Sequence, residues 1–520
     1  MSGTDGLRTK FNLYVQTNSK HWKGEQPLEA TRDPGRWAAL AVVLTATLLS
    51  ILNVFISNVA LPVMKADLDA SAGEAQWILA GYNLAFGLFL VTGGRLGDLY
   101  GIRRVFLIGL ALFTAASGAS GFAPEAASLI AARVVQGLGA ALMIPQVMSF
   151  IQVNFTGKER GTALGAYAAV GGFGSTVAQL LGGWLIEADW FGLGWRTIYL
   201  INVPVGLLAV LGALRMMRER PRASQGDRRL DWAGVVLMTA ALSALCVPLT
   251  IGYDQGWPWW IFLPLAASPL LAYVFVRHQR RLEASGRGMP LVRISLFHRR
   301  SFAAGNLLIL LFYANNAVLF MVMPLFLQQG LGMTPFQSGL VFAPLALGFA
   351  LTSMRSGEWA ARFGHRTLAA GCQLLGAAYL LFYALDAAFA PAMSGWEWIP
   401  AALLAGVAMG FVSAPLNFLT LAHVKDDETG IASGVITAGV EIAYALGTVA
   451  GGMIFFSIAD ETAHLQAFHG AIGFNILLIL GMLALIRYLK ETARPAVPAS
   501  PDSARHTSFE RSRQHSSRSR

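Results

Sequence analysis

What most limits how this chain can fold is a series of apolar runs, each long enough to cross a bilayer and joined by short polar links. A helix rises 1.5 Å per residue, so ~20 apolar residues cover the ~30 Å hydrocarbon layer. The first run extends from Trp37 to Pro62. Others follow at about 75–94, 104–123, 128–153, 162–186, 196–217, 231–252, 258–277, 302–327, 338–355, 367–389, 398–422, 431–456 and 470–488, fourteen in all. Backbone polar groups in hydrocarbon must pair within their own segment, so each run reads as a helix. The expected fold is therefore an all-α integral membrane protein with 14 transmembrane helices. Only 13% of residues are charged, against roughly 25% in a soluble domain.

The net charge of +10 would suit nucleic acid if the cations clustered on a soluble face. They do not. With the N-terminus in the cytoplasm, 36 of the 39 lysines and arginines fall on the cytoplasmic side, and only Lys65, Arg133 and Arg196 do not. A missed or extra helix would invert every later loop, so this asymmetry supports the helix number and places both termini in the cytoplasm. Nucleic acid is excluded as a partner, and the lipid bilayer takes its place.

Residues 1–36 form a polar arm without the apolar core and cleavage site of a signal peptide. Residues 491–520 form a basic, Ser/Arg/Pro-rich tail expected to be disordered. No phosphate-binding loop is present, so any active transport must draw on an ion gradient or a separate partner. Cys246 and Cys372 both lie in apolar runs, which argues against a disulfide, and two cysteines make no metal site. Neither a cofactor nor an enzyme activity is expected, because no nucleophile–base or metal-ligand cluster emerges.

The link after the second run reads Gly94-Arg95-Leu96-Gly97-Asp98-Leu99-Tyr100-Gly101-Ile102-Arg103-Arg104. Gly93 and Gly94 would let backbones approach closely, and Asp98 beside Arg103 and Arg104 would form an ion pair holding helix ends together. Gly357, Gly364 and Arg366 repeat the spacing of Gly94, Gly101 and Arg103, with Ala361 where Asp98 stands. The two copies follow the second and tenth runs. A displacement of eight suggests two six-helix halves, 37–217 and 302–490, with a helix pair and its flanking loops inserted at 218–301. Parallel six-helix repeats with a site at their interface describe alternating-access carriers.

These motifs resemble the major facilitator superfamily, specifically its fourteen-helix drug:proton antiporter branch. The Gly94–Arg104 segment matches the gating loop. Arg133, Gln136, Gly137, Gly139, Ala140 and Ala141 resemble the fourth-helix motif, whose arginine the family implicates in proton coupling. Gly174, Ala178, Gln179, Gly182 and Gly183 resemble the fifth-helix antiporter motif, which governs helix packing. The segments Gly194–Pro204 and Leu230–Gly234 are also similar to that branch. Two departures stand out. Asn53 occupies the place of a common first-helix aspartate and cannot titrate, and Ala178-Gln179 replaces the usual Gly-Pro.

Polar residues inside the runs carry the remaining signal. Arg133 lies about five residues, or roughly 8 Å, inside its helix. It either faces a polar interior or extends to the outer interface. Glu441 stands about ten residues, or roughly 15 Å, into the thirteenth run, with Thr437, Tyr444 and Thr448 on the same stripe. Its carboxylate fits three uses: a proton carrier in place of the missing first-helix aspartate, a protonated structural group, or a contact for a cationic substrate. Asn53, Gln136, Asn316, Asn417 and Tyr444 are the candidate cavity residues, although such stripes also serve interhelical hydrogen bonding.

The reading is a secondary active exporter of amphipathic or lipophilic compounds, coupled to protons through Arg133 and Glu441 and gated by Gly94, Asp98, Gly101, Arg103 and Arg104. A dedicated exporter of one metabolite or siderophore is the second reading. A receptor or scaffold that binds without transporting is the third. The alanine- and arginine-rich composition resembles a bacterial inner-membrane protein, and a periplasmic adaptor is left open.

Overall fold

The computed structural model describes residues 35–218, 231–285, 290–389, 392–421, 429–459 and 463–492. Most of the N-terminal arm, the loop at 219–230 and the tail from 493 lie outside the described residues. In chain order the main helices are α1 (Arg36–Asp67), α2 (Ala72–Tyr100), α3 (Ile102–Gly121), α4 (Ala126–Asn154), α5 (Gly157–Ala188) and α6 (Gly194–Met216). There follow α7 (Trp232–Asp254), α8 (Phe262–Ser285), α9 (Arg300–Leu325), α10 (Pro335–Phe363), α11 (His365–Phe389), α12 (Ile399–Leu421), α13 (Thr429–Ile458) and α14 (His464–Thr492). Thirteen of these are long and apolar enough to cross a membrane among the described residues. The exception is α5, where several side chains fall outside that description. Both cysteines are buried and free.

Local chemistry sets the boundaries. Ser71 and Glu74 cap α2 reciprocally: the Glu74 N–H donates to Ser71 Oγ at 3.1 Å, and the Ser71 N–H donates to the Glu74 carboxylate at 2.9 Å. The α2–α3 junction turns at Gly101 (φ +99°) and the α10–α11 junction at Gly364 (φ +54°). Both occupy the left-handed side of backbone space that glycine tolerates without strain. The repeated motif is thus a repeated turn.

Packing repeats with the same displacement of eight. Helix α1 packs on α5 and α6, α2 on α4, and α3 on α4 and α6. Correspondingly, α9 packs on α13 and α14, α10 on α12, and α11 on α12 and α14. The first six and last six helices meet through α1–α9, α2–α13 and α5–α10. Helix α7 lies along the α2–α13 seam, where the Trp77 indole donates to Thr250 Oγ1 at 2.6 Å and Ala80, Leu84, Leu88, Cys246, Ala445 and Val449 form one apolar cluster.

The seam between the two groups is closed from mid-depth to the end bearing Trp195. There Gln328 donates to the Val59 carbonyl at 2.9 Å, the Phe336 N–H donates to Glu187 at 3.1 Å, and Lys65 sits 5.5 Å from the Phe456 ring centre. Small residues permit the approach. A Cβ on Gly183 would lie 2.5 Å from Phe336 Cα and from the Pro335 carbonyl oxygen, and one on Gly87 would lie 2.9 Å from Glu441 Cβ. At the opposite end, marked by the Arg36–Glu159 ion pair at 2.8 Å, Gly161, Gly165 and Gly171 on α5 and Gly434 on α13 face open space. Among the described residues, the contacts that close the seam gather toward Trp195.

Candidate functional site

Arg133 on α4 is 1% exposed. Its Nε donates to the Ile78 carbonyl at 2.9 Å and its Nη1 to Gln136 Oε1 at 2.7 Å, while Gln136 donates onward to Ser117 Oγ at 2.7 Å. The guanidinium lies 4.6 Å from the Tyr82 ring centre and 5.6 Å from that of Tyr199. Two rings and two oriented acceptors offset the cost of burying this charge. The side chain points into the bundle, so extension to the interface is ruled out by the geometry. Gln136 holds the arginine and lines neither of the two central cavities described below.

Both rings are themselves anchored. Tyr82 shares a 2.9 Å hydrogen bond with Ser50, and Tyr199 one of 3.2 Å with Ser57. Asn53 is 2% exposed with neither amide atom paired. Arg133 also faces a void of about 10 Å³, one water at most, that it shares with Asn58, Asn83, Phe320, Tyr444 and Thr448.

Glu441 meets α2 at Gly87, where helices of the two groups touch. The structure does not bring Arg133 and Glu441 together as an ion pair. Tyr82 packs against the arginine, and Glu441 meets the same helix, α2, at Gly87.

A second cavity, about 90 Å³, lies where α1 and α5 face α9, α10, α12 and α13. Aromatic rings dominate it: Phe55, Phe312, Tyr313, Phe320, Phe342, Phe349 and Tyr444, with Met409. Phe55 meets Phe320 edge-on at 5.3 Å across the seam. Polar groups are few. Asn316 Oδ1 and both amide atoms of Gln179 have no partner, and Ser413 is 3.4 Å from the Tyr313 hydroxyl. An apolar cavity with a few unsatisfied amides suits a planar, mostly apolar ligand that needs a small number of hydrogen bonds.

Several expected positions move. Gln179, assigned to helix packing, has its backbone against Gly339 but its side chain lines the cavity. Asn417 bonds the Ser413 carbonyl of its own helix at 3.2 Å and does not line it. Gly174 and Gly182 pack α5 on α1, against Ile51 and Ile56, and Gly183 packs α5 on α10.

The gate also differs from its expected form. Asp98 pairs with Arg95 at 3.3 Å on the same exposed helix face, and Arg103 donates to the Leu214 carbonyl at 2.7 Å. The expected pairing of Asp98 with Arg103 and Arg104 is not the one formed. Helix α2 continues to Tyr100, so a carboxylate at Asp98 finds its nearest cation one turn back. Gly93 allows close approach, since a Cβ there would overlap the Ala141 carbonyl, whereas one at Gly94 would make ordinary contact with Pro145 at 3.6 Å.

Tyr82, Tyr199, Phe312, Phe342 and Phe349 were not singled out by the sequence. Each sits on a helix that is apolar on all sides, and only the fold shows which face it presents.

Comparison with known proteins agrees with the architecture. The family model described as Major Facilitator Superfamily matches residues 43–448 and 305–519. A probable actinorhodin transporter of Streptomyces coelicolor is 36% identical over 84% of this chain and 75% of its own length. A cephamycin export protein of Amycolatopsis lactamdurans is 34% identical over 88% and 94%, and a multidrug resistance protein of Mycobacterium tuberculosis 30% identical over 76% and 71%. Among solved structures, a bacterial homologue of the human lysosomal transporter Spinster, described as inward-facing and unoccupied, superposes with a TM-score of 0.61. It is 18% identical and covers 90% of this chain and 100% of its own. The chain belongs to the major facilitator superfamily, within its drug-efflux branch.

Proposed function

We propose that this protein is a proton-coupled secondary exporter of amphipathic, largely aromatic compounds, working by alternating access. It comprises an N-terminal half (37–217), an inserted helix pair with flanking loops (218–301) and a C-terminal half (302–490), fourteen membrane helices in total. Both termini face the cytoplasm of a bacterial cell, which makes the open Arg36 end the inward-facing mouth. The observation that carries the reading is the aromatic cavity with unpaired Gln179 and Asn316, built from both groups of helices and shut off at the Trp195 end. A compound entering from the cytoplasm or inner leaflet binds there. Opening the Trp195 seam and closing the Arg36 end then releases it outside.

Coupling runs through Arg133, Tyr82 and Glu441. With Asn53 unable to titrate, Glu441 at the α2–α13 contact is the carboxylate positioned to exchange a proton as that seam opens. The relatives are named for actinorhodin transport, cephamycin export and multidrug resistance, which favours a natural-product or multidrug substrate over a siderophore.

Expression in an efflux-deficient host, with wild type and Arg133→Ala at matched membrane abundance, tests export against a panel of toxic amphiphiles. Resistance to several unrelated compounds, lost in the variant, supports multidrug export, and protection against one compound class supports the dedicated exporter. If ligand binds purified protein but shows no counterflow in proteoliposomes, the protein is a receptor and the transport reading fails.

A further inference from the structure

We propose a second ligand site, separate from the transport cavity, that takes an anionic amphiphile inside the last six helices at the Arg36 end. A cavity of about 400 Å³ opens there between α9, α11, α12 and α14. Arg299, Arg300 and His365 rim its mouth, and Leu308, Leu368, Leu416 and Leu419 form its walls. No acidic side chain lines it among the described residues. From Arg300 to Leu308 the cavity runs about 12 Å along α9, cationic at the mouth and apolar at the floor. That gradient fits a molecule with a negatively charged head and a hydrocarbon tail. It fits neither a free ion nor a neutral oil.

The helix starts reinforce the charge. Helices α9 and α11 begin at Arg300 and His365, so the positive ends of two helix dipoles lie at the mouth. In the first six helices the corresponding corner is filled: Trp37, second residue of α1, meets Phe155 edge-on at 4.7 Å, Phe155 meets Phe150 at 6.4 Å, and Arg36 lies over Phe155 at 5.8 Å. The second residue of α9 is Ser301, which leaves the space open. Arginines at a membrane surface need no special explanation, but a deep leucine-walled chamber behind them does.

Such a head and tail belong to an anionic phospholipid of the adjacent leaflet or to a soluble acid with an alkyl chain, and the experiment separates the two. The full-length protein is purified in uncharged detergent and its thermal unfolding is followed with dioctanoyl phosphatidylglycerol, dioctanoyl phosphatidylcholine, octanoate and glycerol phosphate. A ligand that binds only the folded state raises the midpoint. The proposal expects stabilisation by phosphatidylglycerol, weaker or none by phosphatidylcholine, and none by glycerol phosphate. Octanoate matching phosphatidylglycerol assigns the site to free acids, and octanoate without effect assigns it to phospholipid.

Arg300→Gln with His365→Gln is expected to weaken the phosphatidylglycerol response about tenfold. Leu368→Trp, which fills the chamber from its wall and keeps every charge, should abolish it, while Arg362→Gln outside the cavity should leave it intact. Equal responses to phosphatidylglycerol and phosphatidylcholine, or an unchanged response in Leu368→Trp, would overturn the site. The wild-type comparison alone decides if a variant fails to fold. Because the readout is binding, a negative result here leaves the transport reading standing, and loss of transport leaves this site standing.

Discussion

Replacing Gly183 with alanine tests whether the Trp195 seam is one of two alternating states. The added methyl would lie 2.5 Å from Phe336 Cα and from the Pro335 carbonyl oxygen. Both are backbone atoms at the start of α10, so neither can rotate aside. Overpacking of this kind costs about 1–3 kcal/mol. The contact exists only while that end is shut, so the whole penalty falls on the inward-open state. The ratio of inward-open to outward-open molecules should fall about 5- to 150-fold. Spin labels at Ala188→Cys and Gln337→Cys, on either side of the seam, report the separation by pulsed electron resonance, and the buried native cysteines do not compete for label. Gly183→Ala should move population from the short to the long distance. Gly171→Ala, where a methyl meets open space, should leave the distribution unchanged while favouring the helix by about 0.5–1 kcal/mol. A wild-type distribution in Gly183→Ala would refute the reasoning.

Arg133→Ala should leave Gln136 Oε1 without its donor, at about 1–3 kcal/mol, and strip the Ile78 carbonyl of the second donor it has beyond its own helix bond. Arg133→Lys keeps the charge but cannot serve both acceptors, so melting in detergent should rank wild type above lysine above alanine. Glu441→Gln should retain substrate exchange while transport loses its dependence on the proton gradient, a split visible by comparing counterflow with gradient-driven uptake. Phe342→Ala removes an aromatic wall from the 90 Å³ cavity and should lower affinity for planar substrates about tenfold while sparing bulkier ones, measured by competition binding. Asp231 anchors α7 to α8 through His278 at 2.7 Å, Gln279 and the Gly234 N–H. Burial pushes its carboxyl upward, but those hydrogen bonds outweigh it and hold the group below the ordinary carboxylate range. The anchor therefore contributes fully above the unfolded value of about 3.9 and is lost only as pH falls through the lower folded value. Asp231→Asn should reduce melting stability at pH 7, with the difference from wild type shrinking in acid.

Thirteen of the spans and the glycine turns were legible because bilayer thickness and backbone sterics act on the chain directly. Gly101 and Gly364 could be matched by spacing alone, and both adopt positive φ. Side-chain partners were not legible in the same way. In a soluble helix the polar face marks the solvent, but here lipid and core are both apolar, so Phe312 and Phe342 on the cavity read no differently from Leu307 and Leu347 on the exposed surface. Polar residues narrowed the choice of face without fixing the partner. Gln136 turned to Arg133, Asn417 to its own backbone, and Asp98 to Arg95. In each case a partner on the same helix, one turn away, was available without any tertiary fold. The Gln179 side chain faces the cavity because α5 crosses α10 at Gly339, a contact between segments some 160 positions apart.

The central claim is that proton movement and substrate movement are one cycle. Proteoliposomes loaded with a fluorescent aromatic substrate and subjected to an imposed pH gradient test it directly. The account predicts concentrative transport by the wild type that collapses with the gradient, and exchange without concentration in Glu441→Gln. Concentration that persists after the gradient is abolished, or the same gradient dependence in Glu441→Gln as in wild type, would contradict it.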